Sequence, residues 1–230
     1  MTAFEPHAGN GDYGPAGPEP LSLVLRAGGR CALVAGGGSV AHRKVLTLMA
    51  AGLEVRVVAP ELDTGLAAWM EAGAPWRWDE RVFRAADVSG MFLVVAATGD
   101  RGANARIAAA ARQEGALVNV VDDPSACDFF LPAVVHRGPL QIAVSTGGRA
   151  PGLAAEMRKR LEKLYGEEWG RAVDLVGRAR TAVLEGDLPE EKRRAFVRNL
   201  SALDIGGLLE EGGLPRVNQA IEQCVSRHGD

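Results

Sequence analysis

Three consecutive glycines in the stretch Ala35-Gly36-Gly37-Gly38-Ser39-Val40-Ala41 constrain this chain more than any other feature. They follow an unbroken apolar run, residues 31–35, and precede residues 39–51, where Ala41, Val45, Leu48, Met49 and then Gly52 recur at helical spacing. Strand, tight turn and helix in that order make G-x-G-x-x-G/A a phosphate loop, and Gly36, Gly38 and Ala41 occupy its fixed positions. Gly36 permits the turn, Gly38 withholds a side chain where a pyrophosphate must approach, and Ala41 lets helix and strand pack closely. The helix N-terminus offers unpaired N–H groups and a positive dipole end to phosphates, and Ser39 is expected to cap it. The competing reading is a glycine turn that serves packing alone.

The residues around the loop supply its context. A second apolar run, residues 54–59, ends in Pro60-Glu61, and Glu61 stands 23 positions after Gly38, where the fingerprint expects a carboxylate for the adenosine ribose hydroxyls. A carboxylate there repels a 2′-phosphate and so favours NAD over NADP, although Arg56 lies nearby in the strand. Further runs at residues 91–96 and 117–121, with a weaker one at 76–78, alternate with Ala-rich helical patterns. Continuously apolar strands are expected where helices cover both faces of a parallel sheet. The fold expected is therefore α/β, a Rossmann-like doubly wound parallel sheet. Ligands bind at the C-terminal ends of such strands. One end reads Ala96-Ala97-Thr98-Gly99-Asp100, small enough for a nicotinamide ribose to lie close, and another reads Asn119-Val120-Val121-Asp122-Asp123-Pro124. Asp122 emerges there as a candidate catalytic carboxylate. The alternative is that Asp before Pro merely starts a turn.

After Pro124 the rhythm breaks. Residues 129–135 and 140–145 read as strands around Arg137-Gly138-Pro139, and Ser145-Thr146-Gly147-Gly148-Arg149-Ala150-Pro151 leads into a helix with Leu153, Met157, Leu161 and Leu164 on one stripe. Residues 169–185, 190–200 and 217–226 read as helices. The organisation expected is a flexible Pro- and Gly-rich tail over 1–20, a nucleotide-binding domain over 21–123, a linking segment over 124–165 and a helical module over 166–230.

Composition excludes several classes. The formal charge of −3 and pI of about 5.9 give no footprint for nucleic acid. No apolar run approaches the ~18 residues of a membrane span, the N-terminus lacks a secretory pattern, and Cys31, Cys127 and Cys224 are odd in number and far apart. These features predict a soluble, cytoplasmic protein without a disulfide framework. Neither Tyr13 nor Tyr165 has a Lys four residues on, and no H-E-x-x-H, G-x-S-x-G or G-x-x-x-x-G-K-[ST] occurs. His7, His42, His136 and His228 never stand at ligand spacing, so no metal site is expected; His42 reads as a solvated residue of the first helix.

Taken together and in order, Gly36-Gly37-Gly38-Ser39-Val40-Ala41 with Arg43-Lys44, Val57-Val58-Ala59-Pro60, Ala97-Thr98, Asn119-Val120-Val121-Asp122-Asp123-Pro124, Phe130-Leu131-Pro132-Ala133 and Ser145-Thr146-Gly147-Gly148 resemble the precorrin-2 dehydrogenase family, which includes the N-terminal half of siroheme synthase. The resemblance implies oxidation of precorrin-2 to sirohydrochlorin with NAD by a homodimer joined through the linking segment, with Asp122 at the position of the family's essential aspartate. It further implies cofactor contacts from Gly36, Gly37, Gly38, Ser39, Val40, Pro60, Glu61 and Thr98, and substrate contacts from Asn119, Ser145, Thr146, Gly147, Gly148 and Arg149. Thr146 stands where relatives often carry a second Ser, and Arg149-Ala150 replaces a polar pair. For a substrate bearing eight carboxylates, Arg137, Arg149, Arg158, Lys159 and Arg160 gather around the linking segment, and Arg149 is the one expected to bind it. Some relatives also insert ferrous iron, so a bifunctional dehydrogenase and ferrochelatase is the alternative. A non-catalytic NAD-sensing module and a tetrapyrrole carrier are more remote. The chain's length leaves no room for a methyltransferase domain, so a separate methyltransferase is expected to supply precorrin-2.

Overall fold

The computed structural model describes residues 20–229, so the tail expected over residues 1–20 lies, but for Pro20, outside the described residues. The chain divides after Asp128 into two compact units.

The first unit runs β1 (Cys31–Ala35), α1 (Ser39–Ala50), β2 (Glu54–Ala59), α2 (Thr64–Glu71), β3 (Arg77–Glu80), β4 (Leu93–Ala96), α3 (Arg101–Gln113) and β5 (Leu117–Val120), with a short 3-10 turn at Ala85–Val88. All five strands are parallel, in the order β3-β2-β1-β4-β5. This is the expected Rossmann-like doubly wound sheet. Its order reverses at β1, which puts the switch point between β1 and β4. The central strands do not alternate because helices cover both faces: Ala32 to Ala35 of β1 and Val94 to Ala96 of β4 are all fully buried. Ala41, Val45 and Leu48 of α1 and Ile107, Ala108 and Ala111 of α3 complete the core. Each buried Val, Leu or Ile contributes about 1.5–3 kcal/mol, and the small Ala faces let the helices sit close to the sheet. β4 begins later than the apolar run at residue 91, because the Met91 amide closes a turn onto the Val88 carbonyl. The weak run at 76–78 becomes β3, shifted to Arg77–Glu80.

β5 is an edge strand, and the segment that follows covers it. Asp128 donates its amide to the Val118 carbonyl at 2.8 Å and accepts the Val118 amide on Oδ2 at 3.0 Å. Asp128 is the last residue of this compact unit.

The second unit holds β6 (Ala133–Arg137) and β7 (Leu140–Val144), an antiparallel pair, then α4 (Pro151–Leu164), α5 (Glu167–Glu185), α6 (Glu190–Ser201) and α7 (Ile205–Gly229), the last broken at Gly212 and Gly213. Residues 129–132, expected in a strand, precede β6 without joining it. α5 meets the β6–β7 turn through Gly170, where a Cβ would overlap the Arg137 carbonyl. β6, β7 and the helices that follow pack together in this compact unit. Ala172, Val183, Phe196, Leu200, Val217, Ile221 and Cys224 make its core, and Leu208 and Leu209 pack against it. That packing explains the helical start of α7, which its flanking glycines conceal in the sequence. The α4 stripe is largely uncovered in the single chain: Leu153, Met157 and Leu164 are 56%, 44% and 70% exposed.

Candidate functional site

In the first unit, Ala35, Ala96 and Val120 lie level across β1, β4 and β5. The chain leaves the sheet there through Gly36, Ala97 and Val121. Strands stand about 4.8 Å apart, so β1 and β5 are separated by about 10 Å at this row.

The glycine loop divides its tasks. Gly36 has φ +127°, and a Cβ on it would overlap the Ala97 carbonyl oxygen, so the exits of β1 and β4 touch through bare backbone. A Cβ on Gly37 would overlap the Glu61 carbonyl, and the Gly37 carbonyl accepts the Asp63 amide at 2.7 Å. Only Gly38 is open, with nothing within 4 Å of where its Cβ would stand. Gly38, not Ser39, is the N-cap of α1, and no side chain caps that end. Ser39 is already helical, so its hydroxyl is one residue too late to replace the missing cap. Asp63 and Asp100, by contrast, cap α2 and α3 through the Leu66 and Gly102 amides at 2.8 and 2.7 Å. The helix end beside the open glycine thus keeps its first N–H groups for an anion. Val40 lies in that first turn.

Pro60 and Glu61 are exposed beyond β2. The arginines behind them are committed. Arg56 donates to Asp79 and, at 3.3 Å, to Asp87; Arg81 reaches both at 2.7 Å. Asp87 is 4% exposed and also accepts the Arg84 amide at 2.8 Å. The Arg81 guanidinium holds the Asp87 carboxyl below its ordinary range, and the Arg56 guanidinium does the same for Asp79. His42 is half-buried rather than solvated, its ring against Gly65 and its Nδ1 3.5 Å from Asp63 Oδ1.

Beyond β4, Thr98 is held by Asn104 of α3. Beyond β5, the two aspartates part company. Asp123 caps a short 3-10 turn, Pro124–Ala126, accepting from the Ser125 hydroxyl at 2.6 Å and the Ala126 amide at 3.3 Å. The Ser125 bond holds its carboxyl below the ordinary range. Asp122 is the one non-glycine residue with positive φ among the described residues, at +60°. Its carboxylate is exposed and has no hydrogen-bond or ion-pair partner among them. An Asp in this region sits roughly 1 kcal/mol or more above its preferred wells. Both aspartates thus belong to the turn, but only the Asp123 side chain serves it as a cap, whereas the Asp122 carboxylate is left without a partner among the described residues.

Asn119 lies inside β5, 6% exposed, with its amide 3.5 Å from Cys127 Sγ. Lys44 of α1 is half-buried, and burial pushes its ammonium below the ordinary lysine range. Burial likewise pushes the Cys127 thiol up. Sequence reasoning missed Asn104 and Cys127. Asn104 carried a signal: it falls on the same helical stripe as Ile107, Ala108 and Ala111.

Of the expected substrate residues, Ser145 to Arg149 belong to the second unit. The Ser145 hydroxyl accepts the Gly147 amide at 3.2 Å and the Thr146 hydroxyl accepts the Ala150 amide at 3.1 Å. Gly147 and Gly148 have φ of +58° and +78°, and a Cβ on Gly148 would stand 2.9 Å from the Phe130 ring. Arg137 is not available: it donates to the carbonyls of Tyr165 and Glu162 at 2.8 and 3.0 Å. Arg158 and Arg160 pair with Glu162 and Glu156 on α4 itself. Arg149 is exposed, its guanidinium without a partner among the described residues. Among the described residues no group of three or more His, Cys, Asp or Glu could hold a metal ion, and no helix is long and apolar enough to cross a membrane.

Comparison with known proteins places two family models on the chain. Residues 23–133 match a family model described as "Putative NAD(P)-binding", and residues 137–164 match one described as "Sirohaem biosynthesis protein central". Siroheme synthase 1 of Pectobacterium atrosepticum is 42% identical over 213 residues, covering 89% of this chain and 44% of that protein. The chain belongs with the siroheme synthases over the part of them that it spans. Siroheme synthase of Methylobacillus flagellatus is 37% identical over 212 residues, 92% of this chain and 45% of its own length. The chain thus spans under half of these relatives. A solved structure named "SirC, precorrin-2 dehydrogenase" has the same fold, with a TM-score of 0.71 at 23% identity over 90% of this chain and 100% of that one. The first of these family models makes residues 23–133, which hold the glycine loop and all five parallel strands, similar to NAD(P)-binding domains.

Proposed function

We propose that this chain oxidises precorrin-2 to sirohydrochlorin with NAD, as a cytoplasmic homodimer. The observation that carries the reading is Asp122: a strained, exposed, unpaired carboxylate two residues past the strand row that also ends at the open glycine loop. The residues fit the cofactor, since Gly38 leaves room and α1 leaves its N–H groups for a pyrophosphate. Gly36 and Gly37 shape that loop, Ser39 and Val40 supply its first helical amides, and Pro60, Glu61 and Thr98 flank it.

Bound NAD supplies the hydride acceptor. The chain supplies the rest. Oxidation removes one hydride and one proton from the substrate, and Asp122 accepts the proton as general base. NAD rather than NADP is favoured because Glu61 is exposed beyond β2 and both Arg56 and Arg81 are spent on Asp79 and Asp87. In the second unit Arg149 offers an uncommitted fork to a substrate carboxylate, on a loop that Ser145, Thr146, Gly147 and Gly148 shape. The exposed Leu153, Met157 and Leu164 of α4 supply the apolar face for a second copy.

Purified protein, incubated anaerobically with enzymatically made precorrin-2 and NAD, should form NADH and the sirohydrochlorin absorption spectrum together. Absence of both would remove the proposal. Ferrous iron added afterwards tests the bifunctional reading: chelation no faster than without protein would dismiss it.

A further inference from the structure

We propose that Cys127 is a positioning residue for Asp122, its thiol fastening the two ends of the turn that carries this aspartate. The proposal rests on the reading of Asp122 as the base.

β5 is an edge strand, so the outward amides and carbonyls of Val118 and Val120 have no strand to pair with. Asp128 serves Val118, as described above. Cys127 serves Val120: Sγ accepts the Val120 amide at 3.1 Å and lies 3.2 Å from the Val120 carbonyl. The same sulfur lies 3.3 Å from the Asp123 carbonyl, on the far side of Asp122. The Asn119 amide approaches it from the strand at 3.5 Å. One atom therefore touches the residue where the strand stops and the residue just after Asp122. Its single proton can be given to either carbonyl.

Thiol hydrogen bonds are weak individually. Their effect here comes from position. The turn of residues 121–126 holds its aspartate at φ +60°, a conformation that persists only when the surroundings over-determine it. Asp123 and Ser125 fix the downstream half through the 3-10 turn. The upstream half is tied to the sheet by the Val121 amide on the Ala96 carbonyl at 2.9 Å. Cys127 is the side chain that joins the halves. Burial favours the protonated thiol, which keeps it a donor.

Cys127→Ala and Cys127→Ser separate this role from simple packing. The alanine variant should lose about tenfold or more in kcat for precorrin-2 oxidation, with the NAD Kd unchanged within about twofold. Serine keeps a donor and an acceptor at the same Cβ, and should recover most of the loss. Amide hydrogen exchange in residues 121–126 should quicken in the alanine variant while β1 and β4 stay protected. Unchanged turnover in Cys127→Ala overturns the proposal, as does loss of NAD binding in step with kcat, or no recovery by serine. Should the wild-type chain fail to turn over precorrin-2, the functional reading falls by itself. Exchange in residues 121–126 then decides the thiol's part: unchanged rates overturn it.

Discussion

Asn104 Oδ1 accepts both the amide and the hydroxyl of Thr98, at 3.1 and 2.7 Å, and its own Nδ2 returns a bond to the Thr98 carbonyl at 3.1 Å. One buried side chain on α3 thereby sets the exit of β4, which also borders Gly36. Asn104→Ala leaves these Thr98 groups without that partner in a site only 5% exposed for the native residue, and should cost about 1–3 kcal/mol of stability. The disturbed loop should also bind NAD more weakly. Chemical denaturation and NAD titration of the variant check both, and wild-type values in both would contradict the assignment.

The four charges joining β2, β3 and the turn after β3 predict an acid-sensitive fold. Asp79 and Asp87 lie below their ordinary value of 3.8, held by Arg56 and Arg81 respectively. A carboxyl depressed by folding stabilises the native state above its unfolded pKa, and that contribution disappears as pH falls through the depressed value. The loss should therefore fall below about pH 4. Asp87→Asn, at a side chain 5% exposed, should cost about 2–4 kcal/mol at neutral pH and flatten the acid limb. Urea midpoints across the acid range would show it; an unchanged slope would count against the network.

Cofactor choice should follow Glu61. NAD should bind at least about tenfold more tightly than NADP, and Glu61→Arg should narrow or reverse that gap by offering the 2′-phosphate a cation. Titrations of both nucleotides against both proteins measure it. Equal affinity of the wild-type chain for the two would refute the preference.

Gly37 and Gly38 should respond differently to one added methyl group. Gly37→Ala forces a Cβ onto the Glu61 carbonyl and should unfold at lower denaturant, by about 1–3 kcal/mol. Gly38→Ala has open space, so it should keep its stability and instead lose about tenfold or more in NAD affinity. Matching losses of stability in the two variants would mean that the third glycine serves packing.

Much of the first unit is legible in the residues because buried parallel strands announce themselves as unbroken apolar runs, and because Gly36, Gly38 and Ala41 have fixed meanings between a strand and a helix. The roles within the site are less legible. Asp122 and Asp123 are neighbours of identical chemistry, and only the backbone separates them: one caps a turn by accepting the Ala126 amide, the other stands at φ +60°. Cys127 reads as an isolated thiol until β5 is known to be an edge. Arg137 reads as a free cation until the end of α4 folds onto it. The start of α7 is hidden because its glycines outweigh Leu208 and Leu209 in local propensity, whereas the core they join outweighs the glycines.

Asp122→Asn tests proton removal by Asp122 in the proposed NAD-dependent oxidation with almost no change in side-chain size. Measured as NADH formation from precorrin-2 and NAD under anaerobic conditions, with NAD affinity determined on the same preparation, kcat should fall by at least about 100-fold while the NAD Kd stays within about twofold of wild type. An asparagine variant that turns over at the wild-type rate would contradict the account.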